Sequence, residues 1–318
     1  MERPPSEAYE LAVIIPTYNR AGSLERTIDS VLAAALPTVE ITVVDDGSTD
    51  DTSSMLTRYE QEKIKIIRLP RREGGNHARN VGVTATSAPL LAFLDSDDAF
   101  NASRPARLIE FYHTNPEIDA VLDSFIVKRR GKERDAVQPV GCFDHNRLVS
   151  LLVTHAIPLT NSTISVRRAA FDAIGGYDRS LKRQQDRDFL LRLSANSRIY
   201  LGSGKDVLKT QSDDSISRQG PDSVSALAAI VARHPEFQAP EYHDLLRYLA
   251  VRGILKSFIA GDVINAYREI RALNNNDVLP RSFWECLRLY RRGKKVRTDA
   301  RAAIYAESSK SSSAAPKA

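Results

Sequence analysis

The stretch "LLAFLDSDDAF", residues 90–100, carries five apolar residues straight into three carboxylates, Asp95, Asp97 and Asp98. Crowded like charges disfavour one another's ionised form, so something must offset their repulsion. A hard divalent cation, Mg2+ or Mn2+, would do so. Such ions take oxygen ligands, and Mg2+ in particular is held by one or two carboxylates together with waters and substrate phosphates. The competing reading is a helix cap and a solvated turn. "VVDDGSTDD", residues 43–51, poses the same choice. Asp45 and Asp46 close an apolar run, and Gly47 permits a sharp turn. Acids placed there can accept from a ribose hydroxyl or a base N–H, or they can serve a turn capped by Ser48 or Thr49. A third pair, Asp186 and Asp188 in "QQDRDFLLRL" (184–193), falls in the first turn of an expected helix. Acids suit the positive end of the helix dipole.

The elements that must position these acids alternate in period. "LAVII" (11–15) is a continuous apolar run, as expected of a strand covered on both faces. Leu24, Ile28, Val31 and Leu32 follow at helical spacing, with Ser23 as a cap. "VEITVV" (39–44), "IKIIRL" (64–69) and "LLAFL" (90–94) read as further strands. Residues 49–62, 74–86 and 103–114 read as helices between and after them, and "AVLDSFIV" (120–127) as one more strand. Strand–helix alternation predicts an α/β fold with a mainly parallel sheet flanked by helices. From about residue 222 the chain reads helical, including a hairpin over 242–273 broken near Gly261, so a helical C-terminal extension is expected. In open α/β sheets ligands bind beyond the carboxyl ends of the strands. "PTYNR", "DDGSTDD" and "DSDD" should therefore meet in one crevice.

Composition removes several classes. The chain has 318 residues, 42% of them hydrophobic, enough for a substantial core. Cys142 and Cys286 are its two cysteines, which make no disulfide framework and no metal-ligand spacing. They suit a reducing compartment. No stretch approaches the roughly 20 apolar residues of a membrane span, and the N-terminus "MERPPSEAYE" has no apolar signal region. The expectation is a cytoplasmic protein able to lie on the inner face of a membrane. The net charge is +5, and residues 281–318 hold ten Lys or Arg against three acids. The basic character thus belongs to the C-terminus and does not call for nucleic acid. "PTYNRAGS" lacks the glycines of a nicotinamide-binding turn, and no phosphate-binding G-x-x-x-x-G-K-[ST] occurs. His77, His145 and His155 form no cluster and read as structural.

Taken in order, "VIIPTYNR", "ITVVDDGSTDDT", "GGNHARNVGV", "LLAFLDSDD", "FDAIGGYD" and "QDRDFLLRL" resemble the family 2 glycosyltransferases of GT-A fold, from about residue 10 to 215. The resemblance implies an inverting enzyme that moves a sugar from a nucleotide, usually UDP, to a carbohydrate or lipid-linked acceptor in cell-surface polysaccharide or glycolipid synthesis. It implies that Pro16, Thr17 and Tyr18 contact the nucleobase, with the Tyr18 ring stacked on it. Asp45 and Asp46 then bind base and ribose, and Arg79 lies near base or phosphates. Asp95 and Asp97 form the D-x-D element, Asp97 on the metal and Asp95 on the ribose or a metal-bound water. Asp186 is the implied general base, and Gly175, Gly176, Tyr177 and Asp178 form the acceptor-side loop.

Two departures from the pattern stand out. Gln185 precedes Asp186 where the family often has Glu, and Asp188 is a rival whose other reading is an ion pair with Arg192. Many relatives carry a histidine after the last strand, where "KTQSDDSIS" (209–217) offers Ser212, Asp213 and Asp214. The implied organisation is a tail over 1–10, a catalytic domain over 11–220, a helical region over 221–306 and a disordered tail over 307–318. The catalytic domain divides into a nucleotide-binding half, 11–130, and an acceptor-side half, 131–220. The alternatives are a sugar nucleotidyltransferase, or a non-catalytic module that binds sugar nucleotide or carbohydrate. Intact Asp95, Asp97 and Asp186 argue against the second.

Overall fold

The computed structural model describes residues 8–34, 36–211, 223–259, 261–264, 267 and 283–308. Its first strand explains the uninterrupted apolar run. In β1 (Leu11–Thr17), Leu11, Val13 and Ile15 face one core and Ala12 and Ile14 the other. The first core is closed by α1 (Ala21–Leu32), α2 (Thr52–Leu56) and, further along the chain, α4 (Arg104–Thr114). The second is closed by α3 (Gly75–Thr84), α5 (His145–Val153), α6 (Arg168–Ala173), α7 (Gln185–Ser194) and α8 (Ser223–Arg233). Leu227 and Ile230 of α8 and Phe237 of the turn after it belong to that second core, so α8 packs with the helices that cover this face.

The other strands are β2 (Val39–Asp45), β3 (Ile64–Arg68), β4 (Leu90–Phe93), β5 (Ala99–Phe100), β6 (Ala120–Asp123) and β7 (Phe125–Arg129). They continue with β8 (Lys132–Ala136), β9 (Gly141–Cys142), β10 (Ile164–Arg167), β11 (Ile199–Gly202) and β12 (Val207–Thr210). The main sheet has eight strands in the order β3-β2-β1-β4-β10-β6-β11-β9. β10 and β9 run against the other six. A smaller sheet, β5-β12-β7-β8, sits beside it. The expected mainly parallel α/β sheet is therefore present, with two antiparallel intruders.

Three local expectations change. The strand expected over 120–127 is two strands in different sheets. Ser124, buried between them, bonds through Oγ to Gly202 O at 3.2 Å, which holds the chain where it crosses over. The helix expected over 49–62 shrinks to α2 and a 3-10 turn, Thr57–Tyr59. Ser23 does not cap α1. The helix starts earlier, at Ala21, and Ser23 Oγ donates instead to Ser96 O at 3.0 Å in the acid loop.

At the C-terminal end, α9 (His243–Ile259) and α10 (Phe283–Ser308) pack on each other, and Arg297 Nε of α10 donates to His155 O beside α5 at 3.1 Å. Gly293, a poor helix former, is what lets α10 cross closely, because a Cβ there would lie 2.3 Å from Tyr248 Cβ. The helix expected to continue after Gly261 lies mostly outside the described residues, as does the tail beyond 308. No described helix is long and apolar enough to cross a membrane.

Candidate active site

β1, β2 and β4 end side by side, with Thr17 opposite Asp45 and Phe93 opposite Ile14. The chain therefore brings Tyr18, Asp46 and Asp95 to one rim, as the strand-end rule requires. Pro16 and Thr17 remain within β1, Thr17 buried, while Tyr18 is half-buried with the Arg72 guanidinium 4.2 Å from its ring centroid.

Asp45 and Asp46 are almost wholly buried. Asp45 accepts from Ser48 N at 2.9 Å and Ser53 Oγ at 2.6 Å. Asp46 accepts from Glu73 N at 2.7 Å and Gly74 N at 2.8 Å. The two acids thus brace the turn after β2 and the loop before α3. Gly47 makes the turn possible, since its φ is +72° and a Cβ there would lie 2.6 Å from the Arg71 carbonyl carbon. Gly47→Ala combines left-handed strain with a backbone clash, and is expected to lower unfolding free energy by about 1–3 kcal/mol. Denaturant titration against wild type checks this.

The three acids after β4 have different surroundings. Asp95 Oδ1 accepts from Arg79 Nη2 at 2.6 Å, and its other oxygen takes no bond from the described residues. Burial pushes the Asp95 carboxyl up, but Arg79, Lys209 and Arg20 outweigh it and hold it below the usual range. The Asp97 carboxylate takes no hydrogen bond or ion pair from another described side chain, and burial followed by the Asp95 charge raises its pKa. Asp98, fully buried, is the structural member. It accepts from Ser162 Oγ at 2.6 Å and Thr210 N at 3.1 Å, which fastens the acid loop to β12. Burial, opposed by Lys209 and aided by Asp95 and Asp97, pushes it up to about 7.

Arg79 continues to the Gly175–Asp178 loop, its guanidinium 5.4 Å from the Tyr177 ring centroid. Gly175 and Gly176 both take left-handed φ, +71°, and turn Tyr177 inward. Tyr177 stacks on Phe189 at 4.4 Å, and its Oη donates to Asn161 Oδ1 at 3.1 Å, so its side chain is a core element. Asp178 accepts from Ser180 and, at 3.1 Å, from Arg233 Nε.

The two acids opening α7 part company. Asp188 is buried and accepts from Arg192 Nε at 2.9 Å and Nη2 at 2.8 Å, while its other oxygen lies 2.9 Å from His234 Nε2. Asp186 is half-buried, and its only hydrogen bond among the described residues comes from Arg187 N at 2.8 Å. His77 sits 3.6 Å from Glu73, away from the acids at the end of β4.

Lys209, which the residue pattern did not single out, stands between these groups. Burial works against its charge, but Asp98, Asp95, Asp97 and Asp186 outweigh burial and raise its pKa. Its signal in the sequence was a lysine ending an apolar strand, too common to notice. Ser212, Asp213 and Asp214 lie outside the described residues. No group of three His, Cys, Asp or Glu gathers for a metal among those described.

Such a fold, with carboxylates and cations gathered at the strand ends, is an α/β fold of GT-A type. The Glycosyl transferase family 2 model matches residues 12–175, just over half of the chain, and the chain belongs to that family. Asp186 and Lys209 lie beyond the matched segment. Among curated relatives, succinoglycan biosynthesis protein ExoO of Rhizobium meliloti is 37% identical over 32% of this chain and 29% of its own length. Putative teichuronic acid biosynthesis glycosyltransferase TuaG of Bacillus subtilis is 37% identical over 32% of this chain and 41% of its own. The chain spans less than half the length of these relatives. Among solved structures, TarS 1–349 of S. aureus in complex with UDP-GlcNAc superposes with TM-score 0.61 at 19% identity, covering 95% of this chain and 92% of that one. Mannosyltransferase PcManGT from Pyrobaculum calidifontis, in complex with GDP-Man and Mn2+, gives 0.54 at 17% identity, covering 96% and 88%. These likenesses carry the fold.

Proposed function

We propose that this protein is an inverting glycosyltransferase that moves a sugar from a UDP-linked donor to an acceptor hydroxyl in cell-surface polysaccharide or glycolipid assembly. The observation that carries the reading is the meeting of strand ends: β1, β2 and β4 stop side by side, so Tyr18, Asp46 and Asp95 share one rim, with Arg79 bonded to Asp95 at 2.6 Å. The charges of Asp95, Asp97 and Asp186 all act on the Lys209 ammonium, which supports placing Asp186 at the same rim. The named TuaG and ExoO functions support the polysaccharide assignment, and the UDP-GlcNAc complex of TarS supports the nucleotide.

In this reading Tyr18, Asp45 and Asp46 with their loops shape the base and ribose end, and Arg79 holds Asp95 in place. The Asp97 carboxylate and the second oxygen of Asp95, which take no bond from a described side chain, fit a divalent cation that completes its shell with water and phosphate oxygens. Bound there, the ion would supply Lewis-acid stabilisation of the leaving diphosphate. An acceptor oxygen bonds to the anomeric carbon from the face opposite the diphosphate. The bond from that carbon to the phosphate oxygen breaks, its electron pair leaving on the diphosphate. The acceptor proton passes to Asp186, the general base. Gly175–Asp178 sets the acceptor side through the loop backbone, since Tyr177 is spent on the core. The basic α10 suits an anionic lipid surface, where each Lys or Arg gains about 1 kcal/mol, and with it a lipid-linked acceptor.

The test is calorimetric titration of UDP in Mn2+ and again in chelator. Saturable binding that strengthens with Mn2+ is expected. Absence of UDP binding in both conditions, with GDP binding in its place, would sink the UDP assignment. Failure of every nucleoside diphosphate would sink the donor site.

A further inference from the structure

Lys209 has a geometry that the family reading does not use. β12 lies between β5 and β7; β7 pairs Lys209 with Val127, and β5 pairs the two residues before it, so the root of the side chain is held in the sheet. Its Nζ donates to Thr160 Oγ1 at 2.9 Å and lies 3.6 Å from Asp98 Oδ2. Asp98 already has a hydrogen bond on each oxygen, from Ser162 and Thr210. Lys209 therefore balances the Asp98 charge without being needed to satisfy it. An ammonium has three N–H donors. One goes to Thr160, and the side chain keeps 23% of its surface open. At least one donor has no hydrogen-bond partner among the described residues, and the charges of Asp95, Asp97 and Asp186 act on the ammonium. Arg79 is committed to Asp95 and Asn76, and Arg26 to Asp97 O at 2.7 Å and Thr210 Oγ1 at 3.1 Å. A dianionic leaving group entering this rim meets Asp95 and Asp97 there; Arg20 acts on both acids and Arg79 keeps an unbonded Nε, and Lys209 joins them as a cation that β12 and Thr160 hold in place.

We propose that Lys209 is a built-in cation of the donor site: its ammonium, anchored on Thr160 and balanced by Asp98, donates to a phosphate oxygen of the nucleoside diphosphate beside Asp97. This rests on the donor site proposed above. Its consequence is that diphosphate affinity is shared between a divalent ion and the protein, and part of it survives chelation.

The experiment compares wild type and Lys209→Met by calorimetry with UDP and with uridine, each in Mn2+ and in chelator. Wild type is expected to keep measurable UDP binding in chelator. The variant is expected to bind UDP about 10–100-fold more weakly in both conditions, the value of one charge-assisted hydrogen bond. Uridine, which has no phosphate, should bind both proteins equally. Unchanged UDP affinity in the variant, or an equal fall for UDP and uridine, would overturn the assignment and leave Lys209 a structural partner of Asp98. Wild type that binds no nucleoside diphosphate would remove the donor site and this inference together. If Lys209→Met does not fold, Lys209→Gln keeps a donor for Thr160 without the charge and makes the same comparison.

Discussion

The Asp186→Asn protein is expected to bind donor nucleotide as wild type does and to transfer sugar about 10²–10⁴-fold more slowly, equivalent to about 3–5 kcal/mol of barrier. Asparagine preserves the shape of the side chain, and its amide oxygen can still accept from Arg187 N, which bonds Asp186 Oδ1 at 2.8 Å. What it loses is the ability to take the acceptor proton. The neighbouring substitution Asp188→Asn separates chemistry from architecture. Asp188 is held by Arg192 and His234, so its loss should appear as lower stability of α7 more than as a lost proton acceptor. Initial rates and nucleotide titration on both variants decide the matter. Wild-type turnover in Asp186→Asn would mean that the base lies elsewhere.

Arg104→Met is expected to destabilise the fold by about 3–5 kcal/mol, the usual effect of leaving a buried charge without its partner. Arg104 is fully buried. Its Nη1 donates to Asp123 Oδ2 at 2.8 Å and Asp206 Oδ1 at 2.5 Å, and its Nη2 to Thr163 O at 3.1 Å. Arg107 reaches the same two acids from one turn later, at 2.6 Å each, but is partly open to solvent. Burial pushes the Asp206 carboxyl up, and the two arginines more than reverse it, so its folded pKa lies below the ordinary value. A lowered folded pKa stabilises the protein above the unfolded pKa, and that stability fades as pH falls through the folded one. The deficit of Arg104→Met should therefore be full near neutrality and narrow below about pH 4. Denaturant midpoints measured across that range test both the size and the sign. The cluster ties α4 and the end of β6 to the residue just before β12, and so supports the strand that carries Lys209.

Much of this protein was legible as a string of residues. The unbroken run in β1 announced a strand covered on both faces, and the 3.6-residue spacing of Leu24, Ile28 and Val31 announced the helix that covers one of them. The order of the acidic motifs after strands pointed to the family to which the chain belongs. Local signals failed where a neighbour distant in sequence overruled them. The apolar run 120–127 looked like one strand, but Gly202 and Gln138 gather around Ser124 and divide it between two sheets. Ser23 looked like a cap until the acid loop offered Ser96 O as a better partner.

The sequence by itself determined the α/β class, the strands and helices of the first part of the chain in outline, and the strand ends at which the acids lie. These follow from periodicity and strand order, which are local properties. Only the tertiary structure decided which acid does what. Asp186 and Asp188 are alike in sequence and differ because His234, from the end of α8, and Arg192 both reach Asp188. Asp45 and Asp46 became braces because Ser53 and the Glu73–Gly74 backbone come to them. Lys209 gained its place only when β12 set it beside Asp98. A carboxylate's availability depends on which donors reach it through space, and chain order does not record that.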